Sequence, residues 1–184
     1  TNDGVGGAAA SFQNAGKARV KGFEANLNAI VVDGFQVDAS VSYLHSRYLN
    51  FTNYAGFVRD PAGGNAAIPV NVTGNSAIRT PKWTASLGGT YTANLGSAGK
   101  IELAASYYYN DGYAFDPQHL VNQKSYDLVN GSISWLPTEN IRASLWAQNL
   151  TNTNYLVFGV ASNYGTTHAD APGRQYGLRL SYTF

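Results

Sequence analysis

Apolar and polar residues alternate along most of the chain, and this alternation recurs in seven separate segments. In the first segment, Phe23, Ala25 and Leu27 are apolar, whereas the residues between them are small or polar. A period of two residues is typical of a β-strand with one apolar and one polar face. Since no segment has the period of a helix, the sequence predicts an all-β protein. The predicted strands are 22–31, 35–43, 82–91, 101–110, 129–135, 141–148 and 175–184.

The connections between these strands alternate strictly between short and long. Short turns are predicted near Gly34, Gly96 and Thr138, and each of them joins two strands into a hairpin. We interpret the long connections as loops, and the first of them, in which proline and glycine recur, as a loop rather than a structural element. One rim of short turns and one of long loops is typical of an antiparallel up-and-down transmembrane β-barrel. The long connections are 49–81, 111–124 and 152–173.

Aromatic residues of the apolar face concentrate near its two ends. The residues between them are Ala, Val, Leu and Gly, which form an aliphatic band. In a transmembrane barrel, aromatic belts flank the lipid-facing band at both interfaces. We therefore expect two membrane girdles, and Phe184 belongs to the girdle near the short turns. The predicted girdle residues are Phe35, Tyr43, Trp83, Tyr107, Tyr109, Trp135, Tyr176 and Tyr182.

The opposite face of the predicted sheet is polar and carries several charges. Burying an unpaired carboxylate or guanidinium costs roughly several kcal/mol. We therefore expect this face to contact water in the barrel lumen. The alternative fold is a soluble β-sandwich with polar residues outside and apolar residues inside, which would act as an extracellular binding module. A sandwich needs neither two aromatic belts nor loops that alternate in length. The predicted lumen-lining residues are Glu24, Asp38, Glu102, Arg142 and Arg179.

Composition narrows the possible functions of the 184-residue chain. Only 12% of the residues are charged, the net charge is +1, and no run of Lys or Arg occurs, so the sequence predicts no nucleic-acid or acidic-membrane partner. Cys is absent, which excludes disulfides and thiolate sites, and no window of 18 apolar residues predicts a transmembrane helix. Met is absent too and the chain starts at Thr1, so we expect a processed product or a fragment.

The sequence contains no pattern that predicts catalysis. His45, His119 and His168 lie at or beyond the ends of the long loops and have no ligand spacing, and His168 with Asp170 is explained equally well by solubility. No nucleophile elbow or phosphate-binding loop is present. Alternation also argues against a sugar-stacking platform at 107–109, because only Tyr108 faces the lumen. We therefore predict no enzyme activity, no metal site and no cofactor.

Three stretches of the sequence resemble the closing part of the barrel of TonB-dependent outer-membrane receptors. Residues 14–25, NAGKARVKGFEA, are similar to a strand pattern that recurs late in these barrels. Residues 149–155, NLTNTNY, resemble a segment near the family's C-terminus. Residues 172–184, PGRQYGLRLSYTF, resemble the last strand with its terminal aromatic residue. The resemblance covers essentially the whole chain.

The resemblance implies that residues 1–184 are the C-terminal portion of a receptor barrel. Receptors of this family form 22-stranded barrels that are closed by a plug domain, which is absent from this sequence. They sit in the outer membrane of Gram-negative bacteria and import scarce small molecules or metal chelates, such as ferric siderophores, with energy delivered by the TonB complex through the plug. The alternative function is a passive or structural outer-membrane barrel. Residues 1–13 would be the end of an outer loop, or an eighth strand of a small complete barrel.

The resemblance also implies a role for the last strand in assembly. In the family, the terminal strand is recognised by the barrel-assembly machinery, which makes that machinery a predicted partner beside the outer-membrane lipid. The predicted assembly signal consists of Tyr176, Leu178, Leu180, Tyr182 and Phe184. The substrate-binding residues are not identified by the sequence.

Overall fold

A computed structural model describes residues 16–184, and β-strands with their connections account for nearly all of them. The single helical segment in this range is a short 3-10 turn at Gly96–Ala98. No helix among these residues has the length and apolar character needed to span a membrane. The strands are β1 Lys17–Val32, β2 Phe35–Asn50, β3 Tyr54–Arg59, β4 Asn65–Val70, β5 Trp83–Asn94, β6 Lys100–Asn110, β7 Tyr113–Ala114, β8 Asn122–Gln123, β9 Tyr126–Leu136, β10 Ile141–Gln148, β11 Leu156–Ser162, β12 Gly165–Asp170 and β13 Gln175–Tyr182.

Seven of these strands form one antiparallel sheet in the order β1-β2-β5-β6-β9-β10-β13. All seven predicted strands are therefore confirmed, and each lies beside its neighbour in the sequence of long strands. The three predicted short turns join β1 to β2, β5 to β6 and β9 to β10. At the first of them, Gly34 has a φ of 79°, a left-handed conformation that glycine adopts without strain. Residues 1–13, with their predicted loop or eighth strand, lie outside the described residues.

The register of the sheet keeps apolar residues opposite apolar residues across every pair of long strands. Ala25 lies opposite Val41 in the first hairpin, and Leu145 lies opposite both Ile133 and Leu178 near the other edge. Because directly opposed residues share a face, the sheet has one continuous apolar face and one polar face. We call them the outer face and the inner face. The outer face is open, with Leu27 at 58% and Leu178 at 85% exposure.

The three long connections are not free of strands, so that part of the prediction is wrong. The first contains the hairpin β3–β4, the second the short pair β7–β8, and the third the hairpin β11–β12. The turn of the first hairpin uses the positive φ of Gly63 and Gly64, and Pro69 is tolerated because β4 pairs with β3 alone. Proline and glycine marked the turn and the edge of a hairpin here, rather than an irregular loop.

The buried apolar residues lie at the loop end of the sheet instead of between two layers. Tyr48, Phe51 and Val72 form a small core in which Val72 is only 1% exposed, and Ala114, Phe115 and Val121 are the other buried apolar residues described. A single sheet leaves both of its faces uncovered, so packing concentrates where the long connections fold over one another. Side-chain packing in the described residues is therefore concentrated at this end of the sheet.

Candidate functional site

The three long connections form one interlocked layer at the same end of the sheet. We call them L1 (51–82), L2 (111–125) and L3 (149–174), and together the loop platform. Antiparallel pairing brings the ends of β2, β6 and β10 to the same rim, so the three loops start side by side. The contacts among the loops are mostly polar and involve backbone groups. The platform is thus a connected structure and not three separate loops.

L2 is hydrogen-bonded to L1 through one glutamine. The Gln118 side chain accepts from the N–H of Phe57 at 2.9 Å and donates to the carbonyl of the same residue at 2.8 Å, as a neighbouring strand would. The approach is close because Gly56 lacks a side chain: a Cβ there would lie 2.6 Å from Gln118 Oε1. The Asn75 amide also donates to the carbonyl of Pro117 at 2.8 Å. These contacts fix the position of the L1 hairpin over L2.

L3 is attached to both other loops. The Asn65 N–H donates to the carbonyl of Asn163 at 2.7 Å, and the Asn65 side-chain amide donates to the carbonyl of Ser162 at 2.8 Å, which joins the tips of the L1 and L3 hairpins. The N–H of Leu156 donates to Gln123 Oε1 in L2. Each loop therefore contacts the other two.

A buried carboxylate shapes the turn within L2. Asp116 accepts hydrogen bonds from the N–H groups of Gln118 and Leu120 at 2.9 and 3.2 Å, and from that of Val121 at 2.8 Å. A buried carboxylate is stable only when hydrogen-bond donors replace the water that it has lost. The three backbone N–H groups supply these hydrogen bonds and so account for the position of Asp116. Asp116 thereby holds Gln118 in the orientation that reaches L1.

Burial also affects two tyrosines of the platform. It raises the pKa of the Tyr54 hydroxyl in L1 above its usual range, and the nearby charge of Asp116 adds to that effect. It raises the pKa of Tyr113 in L2 as well, partly offset by the guanidinium of Arg79. Arg79 itself lies over the Phe115 ring, 5.4 Å from the ring centroid. Both tyrosine hydroxyls therefore stay protonated at neutral pH.

An aromatic group lies under the platform at the rim of the inner face. The rings of Tyr126 and Tyr155 are stacked, with centroids 4.7 Å apart and planes 6° apart, and the Tyr108 ring is 6.1 Å from that of Tyr126. Tyr108 lies directly opposite Leu128, and Tyr126 lies directly opposite Asn110. These positions alternate with the outer-face residues of the same strands, so Tyr108 and Tyr126 belong to the inner face. The Asn110 amide donates to the Tyr108 hydroxyl at 3.0 Å. We call these three tyrosines the mouth tyrosines.

The predicted lumen-lining residues all fall on the inner face. Arg142 and Glu102 form a bidentate ion pair with N–O distances of 2.7 and 3.3 Å across β9, and their side chains are 40% and 27% exposed. The Asp38 carboxylate lies over Gly88, where an added Cβ would be 2.4 Å from its Oδ1. Glu24 lies opposite Ser42, and Arg179 lies opposite Ser144. Contact of this face with a lumen stays a prediction.

The predicted girdle residues fall on the outer face. Toward the loops, Tyr43 is 4.7 Å from Trp83 and 5.7 Å from Phe23, measured between ring centroids, and toward the short turns Phe35 is 6.5 Å from Tyr91. Register also places the remaining residues of the predicted set on this face, although Tyr107 lies nearer the middle of its strand. These remaining residues are Tyr107, Tyr109, Trp135, Tyr176 and Tyr182. Membrane contact of the predicted girdle residues stays a prediction.

The predicted assembly signal lies along the edge strand β13 and just beyond it. Tyr176, Leu178, Leu180 and Tyr182 alternate on the outer face, opposite residues of β10. Phe184 follows the strand, fully exposed, with its ring 6.4 Å from that of Tyr182. Recognition of this strand by another protein stays a prediction.

The histidines are dispersed over the platform and the sheet. His45 is an exposed residue of β2, the His119 ring lies 3.1 Å from the carbonyl oxygen of Ser76, and His168 is exposed in β12. Among residues 16–184, no group of three or more His, Asp and Glu side chains has an arrangement that could hold a metal ion. Neither His168 nor Asp170 contacts the mouth tyrosines in the hydrogen bonds and ring contacts described.

Sequence reasoning did not identify the residues that lock the platform. Gln118, Asn65 and Gln123 are ordinary polar loop residues, and each acts on a partner tens of positions away. Of the mouth tyrosines, only Tyr108 was placed on the inner face. The segment 149–155 was singled out as a pattern, and the structure shows that Asn149 turns the chain there with a φ of 50° and hydrogen bonds to Thr153. That turn positions Tyr155 against Tyr126.

Comparisons with known proteins agree with this architecture. Residues 1–150 match the family model described as TonB dependent receptor-like, beta-barrel. The chain is 25% identical over 174 residues to the probable TonB-dependent siderophore receptor PiuA of Acinetobacter baumannii. The matched segment covers 95% of this chain and 22% of PiuA.

Two solved structures have the same fold over nearly the whole chain. The ferric yersiniabactin uptake receptor FyuA of Yersinia pestis has a TM-score of 0.76 at 19% identity, covering 93% of this chain and 24% of that one. The structure of PiuA has a TM-score of 0.68 at 22% identity, covering 90% and 22%. The chain thus spans between 22% and 24% of the length of these relatives. The predicted β-barrel fold class is confirmed.

Proposed function

The chain belongs to the TonB-dependent receptor-like β-barrel family, and we propose that it supplies seven wall strands and three outer loops of a receptor for energised substrate uptake. Receptors of this family are outer-membrane proteins of Gram-negative bacteria, and they transport rather than catalyse. The chain is therefore assigned no enzyme activity. Its length, 22% to 24% of PiuA and FyuA, supports a part of a longer receptor. The resemblance of residues 172–184 to the last strand favours the C-terminal end of the barrel, with the plug encoded elsewhere in the protein.

The proposed substrate is a scarce small molecule or metal chelate, with a ferric siderophore as the leading candidate. PiuA is described as a siderophore receptor and FyuA as a receptor for ferric yersiniabactin, and both share the fold of this chain. The partner that supplies energy is the TonB complex, acting through the plug. Nucleic acid is not a proposed partner.

The observation that carries this proposal is the loop platform with the mouth tyrosines beneath it. Aromatic rings and polar loop groups at the rim of a barrel provide both apolar stacking surface and hydrogen bonds, which suit a chelate with aromatic and polar parts. Tyr126 and Tyr155 present a stacked pair, and Tyr108 adds a hydroxyl on the inner face. Interlocked loops hold these groups in a fixed arrangement, which lowers the entropy lost when a substrate binds.

The uptake proposal is tested by growth and iron accumulation of an iron-restricted host that lacks its own siderophore receptors. Cells producing the full receptor are supplied in turn with a panel of ferric siderophores and radioactive iron. We expect accumulation with at least one of them, and we expect it to disappear when TonB is deleted. Accumulation that persists without TonB would support the alternative of a passive outer-membrane barrel.

Two neighbouring tyrosines provide a matched pair for locating the binding site. Tyr108 lies on the inner face and Tyr107 on the outer face of β6. We expect Tyr108→Ala to weaken siderophore binding by about tenfold, since an aromatic contact contributes about 0.5–1.5 kcal/mol beyond its buried area. Tyr107→Ala should leave the affinity unchanged at equal outer-membrane levels. Equal effects of the two substitutions would contradict binding at the mouth tyrosines.

A further inference from the structure

Several cationic side chains meet on the outer face just beyond the aromatic residues nearest the loops. We call Arg19, Lys21, Arg47 and Lys82 the cationic cluster; all four residues are exposed. Register places Arg19 directly opposite Arg47, and Lys21 directly opposite His45. Directly opposed residues have Cβ atoms about 4.5–5.5 Å apart, so the positive charges of β1 and β2 lie side by side. The composition of the chain gave no sign of this cluster, because strand pairing assembles it.

The cluster lies immediately above the ring group of Phe23, Tyr43 and Trp83. Lys21 and His45 are each two residues from that group along their strands, about 7 Å, and Arg19 and Arg47 are about 13 Å away. Lys82, the last residue of L1 before β5, adds the fourth charge, with its ammonium 5.9 Å from the centroid of the Tyr43 ring. The charges therefore begin where the aromatic residues end.

The part of the chain that the structure describes does not neutralise these charges. Within residues 16–184 the one ion pair joins Arg142 to Glu102 on the other face of the sheet. Asp111 is the carboxylate that contacts this region, and it accepts a hydrogen bond from the backbone N–H of Lys82 rather than pairing with its ammonium. Like charges directly opposite each other destabilise a pair of strands. The arrangement of Arg19 against Arg47 is therefore unfavourable until an anion lies between them.

We propose that the cationic cluster binds the phosphate groups of an anionic glycolipid of the outer leaflet, such as a lipopolysaccharide. The outer face of a family barrel contacts lipid, and aromatic belts lie at the depth of the headgroups, so a cluster just beyond the belt meets headgroup phosphates. Arginine binds phosphate through two parallel hydrogen bonds, and clustered Lys and Arg attract anionic lipid. This inference rests on the membrane position of the barrel and is independent of any transported substrate.

The test measures binding of bisphosphorylated lipid A to the full, delipidated receptor in detergent by native mass spectrometry. The triple variant R19Q/K21Q/R47Q removes three charges of the cluster. Each basic residue near an anionic surface contributes about a fivefold gain in affinity, so we expect the dissociation constant to rise about a hundredfold. The matched control is R59Q/K100Q/K124Q, which removes three exposed charges elsewhere and should bind lipid A like the wild-type receptor.

Two further arms identify the chemistry of the ligand. Dephosphorylated lipid A should bind the wild-type receptor as weakly as lipid A binds the triple variant, and inorganic phosphate should not compete at equal concentration. Resistance of the unheated barrel to SDS checks that each variant is folded. If the triple variant fails to fold, Arg47→Gln alone should raise the dissociation constant about fivefold.

Three results would overturn the proposal. They are equal lipid A binding by the triple variant and the wild type, an equal loss in the control variant, and equal affinity for inorganic phosphate and lipid A. The last result would show a site for free anions. A receptor that binds lipid A as expected yet transports no siderophore would leave this inference standing and refute the proposed uptake.

Discussion

At the scale of single residues, the inner face of the sheet combines small side chains with a few charges, and three of these charges pair with each other or lie over glycine. Glu102 and Arg142 reach across β9 to each other, and Arg142 Nη1 is 3.5 Å from Ser134 Oγ on the strand between them. Asp38 occupies the space above Gly88 that a side chain would otherwise fill. Charge and residue size are thus matched across neighbouring strands.

The Glu102–Arg142 pair should contribute only modestly to stability. Both side chains are partly exposed, so water screens their attraction, and we expect a coupling free energy of about 0.2–1 kcal/mol. The measurement is a double-mutant cycle with Glu102→Gln and Arg142→Gln, followed by urea unfolding of the receptor in lipid vesicles. The same cycle with Arg179→Gln in place of Arg142→Gln is the control and should give no coupling. Equal coupling in the two cycles would show that the pair has no specific interaction.

At the scale of elements, the L1 and L3 hairpins are held by side chains that act as short strands. Gln118 satisfies both backbone groups of Phe57, and Asn65 joins the tips of the two hairpins. An isolated two-stranded hairpin is barely stable in water, so these contacts decide whether each hairpin keeps one position. The platform therefore behaves as one element.

Removing the Gln118 side chain should loosen L1 without disturbing the sheet. Gln118→Ala deletes two hydrogen bonds to Phe57, a loss of about 1–3 kcal/mol of local stability. Hydrogen exchange of the L1 amides should then be faster by at least about fivefold, while amides of the long strands keep their rates. The control is Asn122→Ala, which removes a hydrogen bond to His119 inside L2 and should leave L1 unchanged.

Gly56→Ala provides an independent check of the same contact. The added Cβ would lie 2.6 Å from Gln118 Oε1 and 2.7 Å from Val70 Cγ2, so both side chains have to move and the exchange of L1 should again become faster. Gly131→Ala is the matched substitution, because a Cβ there meets its nearest neighbour at an ordinary 3.5 Å. Unchanged exchange in both Gln118→Ala and Gly56→Ala would contradict a platform held by this contact.

The long strands were predictable from the sequence, whereas the contacts that build the site were not. Each long strand separates an apolar face from a polar one, so alternation alone predicts the faces on which Leu27 and Asn28 lie. The hairpins of L1 and L3 pair in isolation and face water on several sides, so their residues need no alternation. Contacts such as Gln118 with Phe57, or Arg19 with Arg47, join positions that are distant in the chain and leave no local pattern.

At the scale of the whole molecule, the outer face is an exposed apolar surface that is bounded on one side by the edge strand β13. Residues such as Leu145, Leu178 and Leu180 are exposed on it, and the edge strand β13 ends next to Phe184. Such a surface is stable in contact with lipid and prone to association in water. Insertion into the membrane is therefore a step in reaching the functional state.

Loss of the terminal aromatic residue should impair that insertion. We expect Phe184→Ser to lower the level of receptor in the outer membrane severalfold, because the family resemblance makes the end of the last strand the segment that the assembly machinery recognises. The level is measured by immunoblotting of purified outer membranes. Phe158→Ser is the control, since it removes another exposed phenylalanine, which lies in the L3 hairpin and not at the end of the last strand. Normal levels of the Phe184→Ser receptor would contradict a role of this residue in assembly.

Sequencing the reading frame upstream of Thr1 decides whether these strands and loops belong to an energised receptor. We expect a continuous frame that encodes further alternating strands and, before them, a plug of more than about a hundred residues. Family barrels with 22 strands need that additional length, since this chain supplies seven. A stop codon or a signal peptide directly upstream of Thr1 would refute the proposed uptake and indicate a small self-contained barrel without energised transport.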